Sequence, residues 1–463
     1  MSTSLPPVRT APTTSTGGRL PAARAGDSGL TDTERAVLDA VHDLARDGAL
    51  TRDLTTLLAI PSVTGSAAEA DAQAWVARRL DALGLEVDHW RMDVDDLAAR
   101  PGFPGTEAPR DEAWGVTGTT PADAAAPGPT LVLQGHVDVV PAGDPGLWDG
   151  NPFTPRVRRE GGRDVMVGRG ACDMKGGLVS VLAALAALRA AGVRPAGRLA
   201  VHSVVGEEDG GLGAFGTLAR GHRGDACVIP EPTDRRVVTA AAGALTFRLE
   251  VAGRAVHGSA RADGVSAFEA FLPVHAALLE LERERCADPD PLMAGYRLAY
   301  PLSVGTIRSG DWASTVPDTL VAEGRYGVKL GEDPAVARAA FEAAVAGACD
   351  PWLRDHPVRV TWWGGQFASG ALPTGHELLP LVQDAWADAT GRTRPAPRGV
   401  PYGSDLRLYA AAGVPTLHLG PGDVRRAHTA GEYVPLDEVE EVAGALALTV
   451  LRFCGVAGQG RGA

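Results

Sequence analysis

Five short segments carry residue types that can ligate a metal or move a proton. The run Gly135-His136-Val137-Asp138-Val139-Val140 sets a histidine and an aspartate two residues apart. At a strand end both can face one crevice, with His136 ligating a metal and Asp138 fixing the ring from behind. The same pair also reads as a loop histidine beside a capping aspartate. Asp173, in Cys172-Asp173-Met174-Lys175-Gly176-Gly177, stands where an apolar helix begins, as a ligand or as an ordinary N-cap. The glycines around it allow close backbone approach, but their spacing is neither GxGxxG nor GxxxxGK[ST], so a phosphate loop does not fit. Glu207, Glu208 and Asp209 are three adjacent acids between glycines. A solvated turn would tolerate them. A divalent cation would remove their repulsion and leave one carboxylate free as a base. Glu231-Pro232 and Ala427-His428-Thr429 add a further carboxylate and imidazole.

These residues need elements to bring them together. Apolar runs over 130–134, 198–205 and 226–230 read as buried strands, with an Ala- and Leu-rich buried helix over 174–191 between the first two. Such alternation predicts a mostly parallel sheet with helices on both faces, in which ligands gather beyond the carboxyl ends of strands. His136, the 207–208 pair and Glu231 then lie at strand ends, Asp173 at a helix start, and His428 joins from far along the chain. Two histidines and three carboxylates suit Zn²⁺, Mn²⁺ or Co²⁺ better than Ca²⁺. Five ligands around one bridging carboxylate suit two metals about 3.5–4 Å apart.

The remaining pattern is a domain map. Helices are expected over 31–47 and 68–83, and a strand over 85–90. Residues 92–129, dense in Pro, Gly and Ala, read as a long loop or insertion. From 243 the periodicity changes to strand (244–251), helix (266–284), strand (302–307), strand (319–328), helix (334–348) and strand (358–363), the ferredoxin-like order. A small α+β domain over 243–366 is therefore expected, inserted between two parts of the larger domain, 30–242 and 367–458. The larger domain resumes with a helix at 378–389 and strands near 398 and 416–419. Residues 1–29 read as a disordered leader without the apolar core of a Sec signal.

Composition bounds the partners. At 463 residues the chain exceeds the roughly 250–300 that one core supports. Its net charge of −13 argues against nucleic acid. No run is read as reaching the ~18 apolar residues of a membrane span. Five scattered cysteines without CxxC spacing fit reduced thiols and a cytoplasmic location.

Nine strings, GHVDVVPAGD, WDGNPF, GRGACDMKGG, VVGEEDGGLGA, IPEPT, AVHGSARADGVSA, STVPDTLVAEGR, YGSDLR and AHTAGEYV, spread over roughly residues 130–435. In content and order they resemble the M20 metallopeptidase and deacylase family, in particular its acetylornithine deacetylase and succinyl-diaminopimelate desuccinylase branch. The resemblance implies that His136 and Glu231 bind one metal, Glu208 and His428 the other, and that Asp173 bridges them before a cis peptide to Met174. Zinc is the metal expected. Asp138 would support His136, and Glu207 would act as general base. His257 would reach the active site of a second copy, making the inserted domain a lid and dimerisation module. Arg407, Ser404 and Arg325 are candidates for holding a substrate carboxylate, since arginine grips one bidentately; for Arg407 a surface ion pair is the plain alternative. Trp148 and Phe153 are expected to pack under the site. The implied reaction is removal of an acyl group from an N-acyl amino acid. The competing readings are a dipeptidase or carboxypeptidase on the same scaffold, and a catalytically silent binding relative.

Overall fold

The short apolar runs become the parallel centre of a nine-stranded sheet. Thr130–His136 pairs in parallel with Arg198–Val204 on one side and Ala226–Ile229 on the other, and Ala226–Ile229 pairs in parallel with Thr416–His418. Antiparallel strands close both edges, Glu86–Arg91 and Trp114–Thr119 at one, Val238–Ala241 and Gly370–Ala371 at the other, with Arg398–Val400 beside Val238–Ala241. This computed structural model describes residues 29–121, 128–348 and 350–458. The leader, apart from Gly29, and Cys349 lie outside the described residues.

Alternation along the central strands explains why both faces are covered. Leu131, Leu133, Leu199, Val201, Ala226 and Val228 face the helices Gly176–Ala190 and Leu436–Cys454. Val132, Ala200, Cys227 and Ile229 face the helices Leu212–Ala219 and Leu406–Ala411. The segment Ala171–Ala190 is long and apolar enough to cross a membrane, contrary to the sequence reading, but 89% of its apolar window is buried inside the protein, so it serves as a core helix. The first helix, Asp32–Arg46, starts with a capping box in which Thr31 and Glu34 exchange hydrogen bonds.

Residues 92–129 are not the continuous loop that their composition suggests. They contain the helix Val94–Ala98 and the strand Trp114–Thr119, which joins Glu86–Arg91 to the central sheet. Pro and Gly crowd the flanks and hide a six-residue strand whose sequence, WGVTGT, alternates little.

The strands Gly243–Ala252, Leu302–Ser309, Thr319–Val328 and Arg359–Phe367 build a separate antiparallel four-stranded sheet. Leu245, Phe247, Leu249 and Val251 point one way into its own core, against the helices Ala267–Cys286 and Pro334–Ala346.

Candidate metal centre and active site

Parallel register sets the site. Because Thr130–His136, Arg198–Val204 and Ala226–Ile229 run side by side in one direction, the residues just past their ends share one edge. His136 is fully buried there. Its Nε2 lies 3.3 Å from Asp173 Oδ1 and 3.9 Å from Glu231 Oε1. Across the site, His428 Nε2 lies 3.5 Å from Asp173 Oδ2 and 3.1 Å from Glu208 Oε2. Asp173 thus turns one oxygen toward each histidine. Glu208 Oε1 and Glu231 Oε1 are buried without a hydrogen-bond partner among the described residues. Buried carboxylate oxygens left this way are costly, and a cation would satisfy them. The donor set therefore fits divalent metal: His136 groups within ligand reach with Asp173 and Glu208, and also with Glu207 and Glu231.

The electrostatics agree. Burial pushes the carboxyls of Glu207, Glu208 and Glu231 up, and repulsion from neighbouring carboxylates adds to it, Glu231 at Glu207 and Asp173 at Glu208 and Glu231. Burial opposes charge on His428, yet Glu208 and Asp173 outweigh it and push its pKa up to about 11. Asp173 is held low, against its own burial, by His136 and His428. His428 sits at φ +59°, a left-handed backbone that non-glycine residues seldom adopt, and the Asp173–Met174 peptide is cis.

Family comparison agrees with this geometry. The model of peptidase family M20/M25/M40 matches residues 132–452. The chain belongs to this family. A succinyl-diaminopimelate desuccinylase from Stenotrophomonas maltophilia (strain R551-3) is 30% identical over 413 residues, 85% of this chain and 96% of that protein. An N-formyl-4-amino-5-aminomethyl-2-methylpyrimidine deformylase from Bacillus subtilis is 26% identical over 406 residues, 82% and 89% of the two chains. The solved structure of the dipeptidase Dug1p from Saccharomyces cerevisiae superposes with a TM-score of 0.72 at 16% identity, covering 92% of this chain and 99% of that one. This M20 chain is a hydrolase that acts on amides.

Other residues expected at the site fall differently from the sequence reading. Asp138 does not hold His136 mainly through its carboxylate. The nearest partner of His136 Nδ1 is the Asp138 carbonyl at 2.9 Å, while the carboxylate is 3.5 Å away. That carboxylate instead accepts the backbone N–H groups of Glu207 and Glu208 and the Thr64 hydroxyl. It fixes the acidic turn against the histidine strand.

The Arg407 side chain turns to the protein rather than to the cavity. Its guanidinium is buried, donates to the carbonyls of Ser404 and Gly210, and stacks 3.9 Å over the Phe367 ring. It does not line the cavity of about 320 Å³ bounded by the metal-ligand candidates. Arg325 does. It donates to the Pro401 carbonyl, and among the described residues no carboxylate pairs with it. Burial lowers its pKa to about 10. Ser404 also lines this cavity, its hydroxyl 3.1 Å from His418 Nε2. His257 stays outside. It is exposed on the inserted domain and bonds to Ser259. Trp148 is buried under the Arg169 guanidinium, with Nε1 donating to Ala142, while Phe153 is half-buried.

The sequence reading gives Glu432 no role, although it lies within the string AHTAGEYV. It is buried, accepts the N–H groups of Gly170, Cys172 and Asp173, and pairs with Arg169 at 2.6 Å. The segment carrying Asp173 hangs from this one carboxylate. Lys175 has no role in the sequence reading either. Its buried ammonium donates to the carbonyls of Leu57 and Ile60 at the end of the helix Ala49–Leu58.

Proposed function

We propose that the chain removes an acyl group from a small N-acyl amino acid, using two divalent cations, with zinc the first choice. The observation that carries this is Asp173, whose two oxygens face His136 with Glu231 on one side and His428 with Glu208 on the other. Cations held by these residues would polarise the scissile carbonyl and bring a water's pKa toward neutrality. Glu207 accepts that water's proton and returns it to the leaving amine. Its buried carboxyl, with a pKa raised by burial and by Glu231 and Asp405, suits a group that must both take and give a proton. Arg325, across the cavity and without a carboxylate of its own, takes the substrate carboxylate, and Ser404 contributes beside it. Arg407 supports the wall.

A homodimer through the inserted domain belongs to this proposal. Phe268, Leu272 and Leu279 expose an apolar stripe on the helix Ala267–Cys286. The edge strand Leu302–Ser309 presents Ile307, 48% exposed. Pairing there would cover both, and His257 of the partner subunit would donate to the developing oxyanion. Free thiols at Cys172, Cys227, Cys286 and Cys454 fit the cytoplasmic location also proposed.

The test is a panel of N-acetyl, N-succinyl and N-formyl amino acids and dipeptides, each with and without the free carboxylate, on zinc-loaded protein. Acyl amino acids should be cleaved, and loss of the carboxylate should raise KM. Turnover of dipeptides alone would favour the dipeptidase reading. No hydrolysis of any member would defeat the proposal.

A further inference from the structure

Residues 104–110 lie between the acidic turn and the two strands that connect the inserted domain. On the turn side, Arg110 holds Asp209 through two bonds, Nη1 to Oδ2 at 2.9 Å and Nη2 to Oδ1 at 3.0 Å. The side chains of Arg110 and Asp209 are 2% and 6% exposed, so water does little to weaken the pair. The amides of Glu107 and Ala108 also donate to Asp209 Oδ2. On the other side, Glu107 Oε1 accepts the Thr246 hydroxyl at 2.7 Å and the Gly365 amide at 3.3 Å. The backbone amide of Gln366 donates to the Pro104 carbonyl at 2.9 Å. That last bond is main chain to main chain, so it ties the end of the strand Arg359–Phe367 directly to this segment.

Backbone contact tightens the arrangement. A Cβ on Gly210 would overlap the Gly105 carbonyl, and a Cβ on Gly105 would overlap the Gly364 carbonyl. Turn, segment and connecting strand are stacked backbone on backbone, as only glycine permits. Gly105 and Gly364 both have positive φ, +81° and +63°. The register between the strands Gly243–Ala252 and Arg359–Phe367 also shifts between Trp362 and Gln366, at this contact.

We infer that residues 104–110 form a strap that couples the orientation of the inserted domain to the Glu207–Glu208 turn, with Glu107 as the coupling residue and Arg110 as the positioning residue. The inference rests on the catalytic assignment of that turn made above. A change in the angle of the inserted domain pulls on Glu107 and Pro104, and the rigid Arg110–Asp209 pair passes the movement to Glu207. The base is then aligned only when the inserted domain, which brings Arg325 to the cavity, is in place.

Glu107 is exposed, so its replacement leaves the core intact. The test places spin labels at Asp81 and Val336, one on each domain, with labelled chain diluted into unlabelled chain. It reads the inter-domain distance distribution by pulsed EPR, together with kcat, KM and metal content. Glu107→Ala should broaden the distribution, lower kcat by roughly tenfold or more, within the ~10²-fold that a misplacement of about 1 Å can cost, and raise KM as Arg325 moves with its domain, with metal content near wild type. Glu107→Gln, which keeps an acceptor oxygen, should stay near wild type, and Thr246→Val should shift both readouts in the direction of Glu107→Ala. A distribution that does not change overturns the coupling, and so does one that broadens while kcat holds. Loss of metal together with kcat would overturn it too, by showing mere local support of the ligands. If instead Glu207→Gln kept full activity, the catalytic reading would fall, while the distance distribution of Glu107→Ala would still decide the strap.

Discussion

Glu432 offers a perturbation whose size follows from its bonds. The carboxylate is 1% exposed and accepts from Gly170 at 3.0 Å, Cys172 at 2.9 Å, Asp173 at 3.0 Å and Arg169 at 2.6 Å. Glu432→Gln keeps the shape but puts an NH₂ group where one oxygen was. The remaining oxygen can serve Cys172 and Asp173, and the new amide then faces the donors of Gly170 and Arg169. Arg169 is 2% exposed, and stranding one member of a buried pair costs about 3–5 kcal/mol. That is a large share of the roughly 5–15 kcal/mol that holds a folded protein together. A second effect falls on metal. The lost bonds orient the segment bearing Asp173, and removing such an outer partner costs about 10–100-fold in affinity. The assay strips the protein with chelator, measures thermal unfolding of the metal-free form, and then titrates Zn²⁺ against a competing indicator. Arg169→Met is the control, because it leaves the three amides on the carboxylate. It should lower stability while holding metal affinity closer to wild type. Unchanged metal affinity and an unchanged unfolding midpoint in Glu432→Gln would refute the reasoning.

Other predictions follow from single groups. Glu207→Gln should lower kcat by about 10²–10⁴-fold, the usual range for losing a general base, with metal content by mass spectrometry near wild type. Arg325→Met should raise KM for carboxylate-bearing substrates far more than for their amides, read by steady-state kinetics on matched pairs. Metal affinity should rise with pH and metal uptake should release protons, because His428, with its pKa pushed to about 11, must lose a proton to become a ligand. Calorimetry in buffers of different ionisation enthalpy measures this. His202 is fully buried, and burial takes its pKa from 6.5 down to about 3. The unfolded chain therefore binds more protons, and stability falls as pH drops from about 6.5 toward 3. His202→Gln should flatten that part of the curve of unfolding midpoint against pH.

Residue type and strand periodicity made much of the site legible. Each of His136, Glu207, Glu208 and Glu231 follows an apolar run that could be read as a strand, and parallel strands deliver their ends to one edge whatever their order in the sheet. The inserted sheet was equally plain, because Leu245, Phe247, Leu249 and Val251 alternate cleanly over a surface covered on one side. Other features depend on contacts between distant residues, which local pattern does not carry. The strand Trp114–Thr119 is interrupted by two glycines and is completed by a neighbour on each side in the sheet. The helix Leu436–Cys454 has no place in the sequence reading, although its buried run from Val442 to Leu451 is as apolar as a core helix requires. Arg407 and Arg325 look alike in sequence. Only the fold shows one guanidinium spent on carbonyls behind the wall and the other left without a carboxylate at the cavity. Glu432 stands about 260 residues from the amides it holds, a separation over which no spacing rule acts. The chain's own order thus determined which chemical groups were at hand and which strand ends would carry them, and tertiary packing decided which of those groups face the substrate, because direction and burial are properties of the assembled surroundings.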